Sequence, residues 1–242
     1  MPVLDIKNVS KHFGGVKAVD DISLTLEYGE MIGLVGPNGS GKTTLFNMIS
    51  GLLTVTSGCI VFQNEDITKY KTYKRVAKGI NRTFQVVKPF ASLTVYENIK
   101  IGCLVGGNNE LEMHDKIHYL IESVGLKGLA NEMAGNLPIG NLKKLEVAKA
   151  LATTPKLLLL DEPFGGLSHA EALELIPLIK RINQQGVSII VVEHVMSVLL
   201  KLIEQVLVLN FGKEIAKGNI HAVMSDSTVI EAYLGDSYVE NN

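Results

Sequence analysis

The residues with the clearest capacity for chemistry are Gly36-Pro37-Asn38-Gly39-Ser40-Gly41-Lys42-Thr43-Thr44, which fit G-x-x-x-x-G-K-[ST] and follow the apolar run Met31 to Val35. A strand, a glycine loop and a helix in that order are what a phosphate-binding loop needs. Gly36, Gly39 and Gly41 leave backbone N–H groups able to converge on phosphate oxygens. A helix opening near Lys42 adds the positive end of its dipole. Lys42 is expected to reach the β- and γ-phosphates, and Thr43 to hold Mg²⁺. The segment therefore reads as a nucleoside triphosphate site.

A second group lies downstream, where Leu157-Leu158-Leu159-Leu160 leads into Asp161-Glu162-Pro163. An apolar strand here delivers two carboxylates at its C-terminal end, the end at which open α/β sheets bind ligands. With a phosphate loop upstream, Asp161 suits the Mg²⁺ shell and Glu162 suits a general base that polarises the water attacking the γ-phosphate.

These groups need a scaffold, and the chain has the means to build one. Its 242 residues are 46% hydrophobic and 20% charged, enough for a substantial core in one large domain or two small ones. From Pro2 to Phe62 the pattern is strand-like, with Ile22, Leu24, Leu26 and Tyr28 alternating with Ser23, Thr25 and Glu27. From Gly79 to about Thr154 the character changes. Met113, Ile117, Leu120, Ile121 and Val124 recur at helical spacing, and Gly125 closes the run. Beyond Pro155, short apolar strands (157–160, 188–192 and 206–209) are separated by helical stretches such as 170–185, which predicts a largely parallel, helix-covered sheet.

Composition also narrows the class. No uncharged apolar run approaches the roughly 18 residues that span a bilayer, and Met1 to Phe13 carries Asp5, Lys7 and Lys11, so a cytosolic chain is expected. Cys59 and Cys103, far apart in sequence, read as packed thiols. The net charge of −2 gives no footprint for nucleic acid. His114 and His118 stand four apart on a helix without a third ligand, and read as an exposed face.

Further residues bring a resemblance into view. Gln85 ends Arg82-Thr83-Phe84-Gln85, and His194 ends Val191-Val192-Glu193-His194 after an apolar strand. Phe13 lies upstream of the phosphate loop. Leu137-Pro138-Ile139-Gly140-Asn141 precedes the helix carrying Leu142, Leu145 and Ala148, and Gly165-Gly166-Leu167-Ser168 follows the carboxylates. In this order and spacing, over essentially its whole length, the chain resembles the ATP-binding subunits of ABC transporters.

The resemblance implies an α/β fold: a P-loop ABC ATPase with a mostly parallel core sheet, an N-terminal antiparallel β subdomain and a helical insert. One domain would span 1–242, with 1–85 and 155–242 as catalytic core and 86–154 as helical subdomain carrying the signature segment. It implies ATP and Mg²⁺, with Gln85 touching Mg²⁺ and the attacking water, His194 contacting the γ-phosphate and Phe13 stacking on adenine. Gly140 and Asn141 would grip ATP held by an opposing subunit. The implied partners are two membrane permease subunits, a second ABC ATPase and, indirectly, an extracytoplasmic solute-binding protein, with the chain peripheral on the inner face of the cell membrane and no nucleic acid involved.

Within the family the similarity runs to the LivG-type ATPases of branched-chain amino acid importers. It is carried by Phe13-Gly14-Gly15, the segment 79–85, Thr94-Val95-Tyr96-Glu97-Asn98-Ile99, Glu171, and Glu231-Ala232-Tyr233-Leu234-Gly235. The signature serine is Pro138 here, its glutamine is Asn141, and the D-loop aspartate is Ser168. Pro138 has no hydroxyl and no N–H, so trans contacts would be weakened and a heterodimer is expected over a homodimer. The segments 86–90 and 94–99 are the expected docking surface for a membrane subunit. Alternatives are an ABC exporter ATPase such as a lipopolysaccharide-extraction type, a translation or repair ABC protein, which would carry two cassettes or a coiled-coil insertion, and a weakly hydrolysing regulator.

Overall fold

Residues 1–106 and 110–239 are described by the computed structural model. The first strands, β1 (Pro2–Phe13) and β2 (Val16–Glu27), form an antiparallel hairpin, and β4 (Ser57–Phe62) pairs with the other edge of β1. With the short β5 (Glu65–Asp66) they make a four-stranded sheet in the order β2-β1-β4-β5. Ile22, Leu24 and Leu26 are buried along β2 as the alternation predicts. Tyr28 departs from that reading. The strand ends at Glu27 because Gly29, at φ 71°, turns the chain, and Tyr28 is left 52% exposed.

The second sheet has six strands in the order β10-β9-β3-β8-β7-β6. They are β3 (Met31–Val35), β6 (Ile80–Arg82), β7 (Leu157–Asp161), β8 (Ser188–Val192), β9 (Gln205–Asn210) and β10 (Lys213–Asn219). All neighbours are parallel except the edge pair β9–β10. Residues 80–82, within the stretch whose character reads as helical, instead join this sheet beside β7.

Both faces of the sheet are covered, which is why its strands read as unbroken apolar runs. Along β7 the side chains alternate between two cores. Leu157 and Leu159 pack toward the antiparallel sheet and α1 (Lys42–Ser50), while Leu158 and Leu160 pack toward α5 (Ile139–Ala152) and α6 (His169–Gln184). The helical region adds α3 (Val95–Val105) and α4 (Glu110–Ser123), whose Met113, Ile117, Leu120 and Ile121 are buried with Val124 just beyond. The remaining helices are α2 (Thr72–Lys78), α7 (Met196–Leu202), α8 (Ile220–Val223) and α9 (Ser227–Val239). Among the described residues no helix is long and apolar enough to cross a membrane. Cys103 is buried, which pushes its thiol pKa up, whereas Cys59 is only half-buried on β4.

Arg75 is the largest fully buried side chain, 1% exposed. Its guanidinium donates to the carbonyls of Met48 and Ile49 at 2.7 and 2.9 Å, and to those of Tyr70 and Thr68, both at 3.0 Å. It thereby adds donors to carbonyls at the C-terminal end of α1, where the capping Gly51 N–H also reaches the Met48 carbonyl. Burial lowers its pKa to about 10, so it remains charged at neutral pH.

Candidate nucleotide site

The sheet places the candidate residues by register. β3 lies between β8 and β9, so the strand order reverses there, the crevice position for ligands in α/β sheets. Leu159 pairs with Arg82 and with Ile190, and Asp161 with Val192. The carboxyl ends of β6, β7 and β8 therefore stand side by side and deliver Gln85, Asp161, Glu162 and His194 to one rim.

The loop after β3 is shaped by its glycines. Gly41 sits at φ 105° as the N-cap of α1, and a Cβ there would lie 2.4 Å from the Ala18 carbonyl oxygen. Gly36, at φ 147°, would place a Cβ 2.1 Å from the Leu209 carbonyl oxygen. No side chain caps α1 and no acidic residue stands in its first turn. The first-turn N–H groups and the dipole end are thus left for an external anion, which fits the phosphates of ATP. Asn38, Gly39 and Thr43 are exposed at the loop, Thr44 and Gly41 are half-buried, and Pro37 and Ser40 are buried. Lys42 curls inside, its Nζ donating to the carbonyls of Gly36 and Pro37 at 2.7 and 2.8 Å with Ser40 Oγ at 3.4 Å.

Two residues distant in sequence meet at Glu162. Its Oε2 accepts from Gln85 Nε2 at 2.7 Å, and its Oε1 lies 2.9 Å from His194 Nε2. Glu162 itself is held at φ 46°, an uncommon conformation for a residue with a side chain. Thr43, Gln85 and Asp161 line one cavity of about 670 Å³. Their hydroxyl, amide and carboxylate oxygens are hard donors suited to Mg²⁺, which usually takes one or two protein ligands and completes its shell with phosphate and water. Among the described residues no three of His, Cys, Asp and Glu converge as a metal cage.

Other candidates stand apart from this cluster. Phe13 is 48% exposed near the end of the β1–β2 hairpin, with Lys11 Nζ 5.3 Å from its ring. The same hairpin runs beside the phosphate loop at Ala18, two residues beyond Val16, the strand partner of Phe13. The helix expected after Asn141 starts earlier, at Ile139. Pro138, extended at φ −63° and ψ 158°, is its N-cap, and Gly140 and Asn141 lie within its first turn. Proline fits this boundary because its carbonyl alone is needed, here accepting from Leu142 N at 3.0 Å. Gly140 packs on Glu171 of the same chain, where an added Cβ would come within 2.6 Å of Oε1. Ser168 has a role within the chain as well: with Glu171 it forms the capping box of α6.

His114 and His118 are both exposed, their rings tilted at 56° with centroids 4.6 Å apart, and Tyr96 lies 5.6 Å from His118. In the expected docking segments, Val95, Asn98 and Ile99 are buried in α3 and unavailable, whereas Val86 and Phe90 are 66% and 49% exposed. Buried Asn98 instead shapes the loop, donating to the carbonyls of Phe90, Leu93 and Thr94 and accepting from Phe90 N.

Sequence reasoning missed several contributors. Arg82 donates to Asp161 Oδ2 and Asn47 Oδ1, both at 2.6 Å, and lies between the rings of Phe46 and Phe84. Glu193, 3% exposed, accepts from Phe164 N at 3.1 Å and His194 N at 2.7 Å. Tyr233 of α9 hydrogen-bonds the Gly36 backbone, and its burial pushes the phenol pKa up. A charged residue inside an apolar strand end, as at Arg82 and Glu193, was the available signal.

A glycine loop on a switch-point strand, carboxylates on the neighbouring strand and a polar cluster at their rim define a P-loop nucleotide hydrolase. The ABC transporter family matches residues 19–165, and the chain belongs to that family of ATP-binding cassettes and is an ATPase. It is 34% identical to a probable branched-chain amino acid transport ATP-binding protein LivG of Methanocaldococcus jannaschii, over 98% of each chain. It is 32% identical to the high-affinity branched-chain amino acid transport ATP-binding protein BraF of Pseudomonas aeruginosa, over 98% of this chain and 99% of the relative. Among solved structures it resembles the ADP conformation of an ATP-binding cassette of an ABC transporter. That similarity has a TM-score of 0.88 and 32% identity over 97% of this chain and 99% of the other.

Proposed function

We propose that this chain hydrolyses ATP to power an importer for branched-chain amino acids or a related small polar solute. The observation that carries the hydrolytic part is Glu162, held between Gln85 and His194 at the rim of the phosphate loop. The cargo is inferred from what the relatives are named for, since no residue of an energising subunit needs to touch it.

In this reading residues 1–85 and 155–242 form the catalytic core and 86–154 the helical subdomain. The backbone of 36–44 and Lys42 bind the phosphates, and Phe13 stacks on the adenine. Thr43, Asp161 and Gln85 would hold Mg²⁺, which when bound would neutralise negative charge on the phosphates. Glu162 accepts a proton from the water as its oxygen bonds to the γ-phosphorus and the bond to the β-phosphate bridging oxygen breaks. Gln85 orients that carboxylate, and His194 donates toward the γ-phosphate.

The N-terminus of α5 is the surface offered to ATP on a second ATPase chain, through the N–H groups of Gly140 and Asn141. Pro138 and Asn141 depart from the family signature, so the favoured second chain is an unlike one that supplies the fuller signature to this chain's own site. The pair acts on two permease subunits at the inner face of the membrane, served by an extracytoplasmic solute-binding protein.

Phe84 and Val86 line the 670 Å³ cavity and are exposed, and the exposed Phe90 lies with its ring 5.4 Å from Nζ of Lys149, another lining residue. This is where a permease helix would seat. Phe90→Ala is expected to lower ATP hydrolysis by the membrane complex at least about fivefold while ATP binding by the chain alone is unchanged. Phosphate release and nucleotide titration on the two preparations check it. Equal loss of both would make Phe90 a folding residue.

A further inference from the structure

We infer that Lys143 is a positioning residue for ATP hydrolysis: from α5 it clamps the backbone carbonyls of Gln85 and Glu162, tying the helical region to the reacting carboxylate. The inference rests on the hydrolytic reading given above. Lys143 is 5% exposed, and its Nζ donates to the Gln85 carbonyl at 3.1 Å and to the Glu162 carbonyl at 3.0 Å. These are the same two residues whose side chains hydrogen-bond each other at 2.7 Å. One ammonium thus fixes both backbones behind the Gln85–Glu162 pair.

The position is one where a clamp is needed. A non-glycine residue at positive φ is strained and persists only when its surroundings hold it there. At Glu162, φ 46°, the N–H donates to the Val192 carbonyl at 2.9 Å, and the carbonyl accepts from Gly165 N at 3.1 Å as well as from Lys143. Burying an ammonium is itself unfavourable unless hydrogen bonds compensate, so an apolar side chain would suit a purely structural place better.

A buried anion answers from the other side. Glu193 accepts from Phe164 N with one oxygen and from His194 N and Val195 N with the other. The chain at Glu162 is therefore pinned at its own carbonyl by a lysine from α5 and, two residues on at Phe164, by a glutamate following β8. Because Lys143 lies two residues beyond Asn141 on the same helix, any displacement of the α5 N-terminus is carried directly to the carbonyls of Gln85 and Glu162. The first turn of α5 and the carboxylate form one lever.

The test compares wild type, Lys143→Met, Lys143→Arg and Glu162→Gln, each full-length. Single-turnover ATP hydrolysis is measured on the assembled membrane complex carrying each variant, and equilibrium binding of a fluorescent ATP analogue and thermal melting on the purified chain. Lys143→Met is expected to lower the hydrolysis rate about 10- to 100-fold, the effect of misplacing a reacting group by around an ångström. Its nucleotide affinity should stay within about threefold of wild type, because no phosphate contact is removed. Lys143→Arg, which keeps a cation and several donors, should recover most of the rate.

An undiminished rate in Lys143→Met overturns the inference. So does a loss of rate, affinity and melting temperature together that Lys143→Arg fails to recover, since that marks a packing residue. If Lys143→Met does not fold, Lys143→Gln, which keeps a donor on a shorter arm, is judged by the same criteria. Glu162→Gln separates the two levels: wild-type hydrolysis there removes the hydrolytic reading itself. An inactive Glu162→Gln beside a fully active Lys143→Met removes only the clamp.

Discussion

Glu162→Gln is expected to bind ATP within about threefold of wild type while releasing phosphate at least about a hundredfold more slowly, the usual contribution of a positioned general base. The substitution keeps the side chain's size and one oxygen, so the contacts of Glu162 with Gln85 and His194 can be partly retained. What it removes is the ability to take a proton from water. Phosphate release under single-turnover conditions, with fluorescent-nucleotide titration beside it, measures both halves. Hydrolysis near the wild-type rate would move the base elsewhere, and the weakly hydrolysing regulator would then gain ground only if the wild type were equally slow.

Arg82→Met should destabilise the fold by roughly 3–5 kcal/mol, the cost of leaving one member of a buried ion pair uncompensated. The side chains of Arg82 and Asp161 are each 8% exposed and meet at 2.6 Å. The same guanidinium reaches Asn47 Oδ1 on α1, so its loss also frees α1 from β6. Methionine fills much of the space between Phe46 and Phe84, which confines the effect to lost polar contacts. Urea unfolding followed by circular dichroism reads the difference, and Arg82→Met combined with Asp161→Asn should recover part of it. A change below about 1 kcal/mol would show that water reaches Asp161 and replaces the arginine.

The phosphate loop, the Asp161-Glu162 strand end and the overall alternation of strands and helices were legible because each is local. Glycine spacing, an apolar pentad and a period of 3.6 or 2 are written into consecutive residues. The meeting of Gln85, Glu162 and His194 was not local: only the register of β6, β7 and β8 brings residues 85, 162 and 194 together. The resemblance supplied their order, and the sheet supplies their contact.

Arg82, Lys143 and Glu193 were missed for a related reason. Each is a charged residue in a segment whose neighbours read as strand or helix, and its partner lies at least 19 residues away in sequence. Boundary errors had local causes. Tyr28 continued an alternation that Gly29 breaks, and the start of α5 was read three residues late because 137–141 was placed ahead of the helix, whereas Gly140 is a helical residue packed on Glu171. Thr94 to Ile99 looked like docking surface, yet three of the six face the core because Thr94 caps a helix there.

The central claim, a hydrolytic subunit of a membrane importer, is tested most directly by what the chain holds on to. Tagged Glu162→Gln protein, retrieved from membranes of its own source with ATP and Mg²⁺ present, is analysed by mass spectrometry. Two permease-like proteins and a second ATPase with an unlike signature segment are expected. Retrieval of the chain without any membrane protein, under conditions where it still binds ATP, would contradict it.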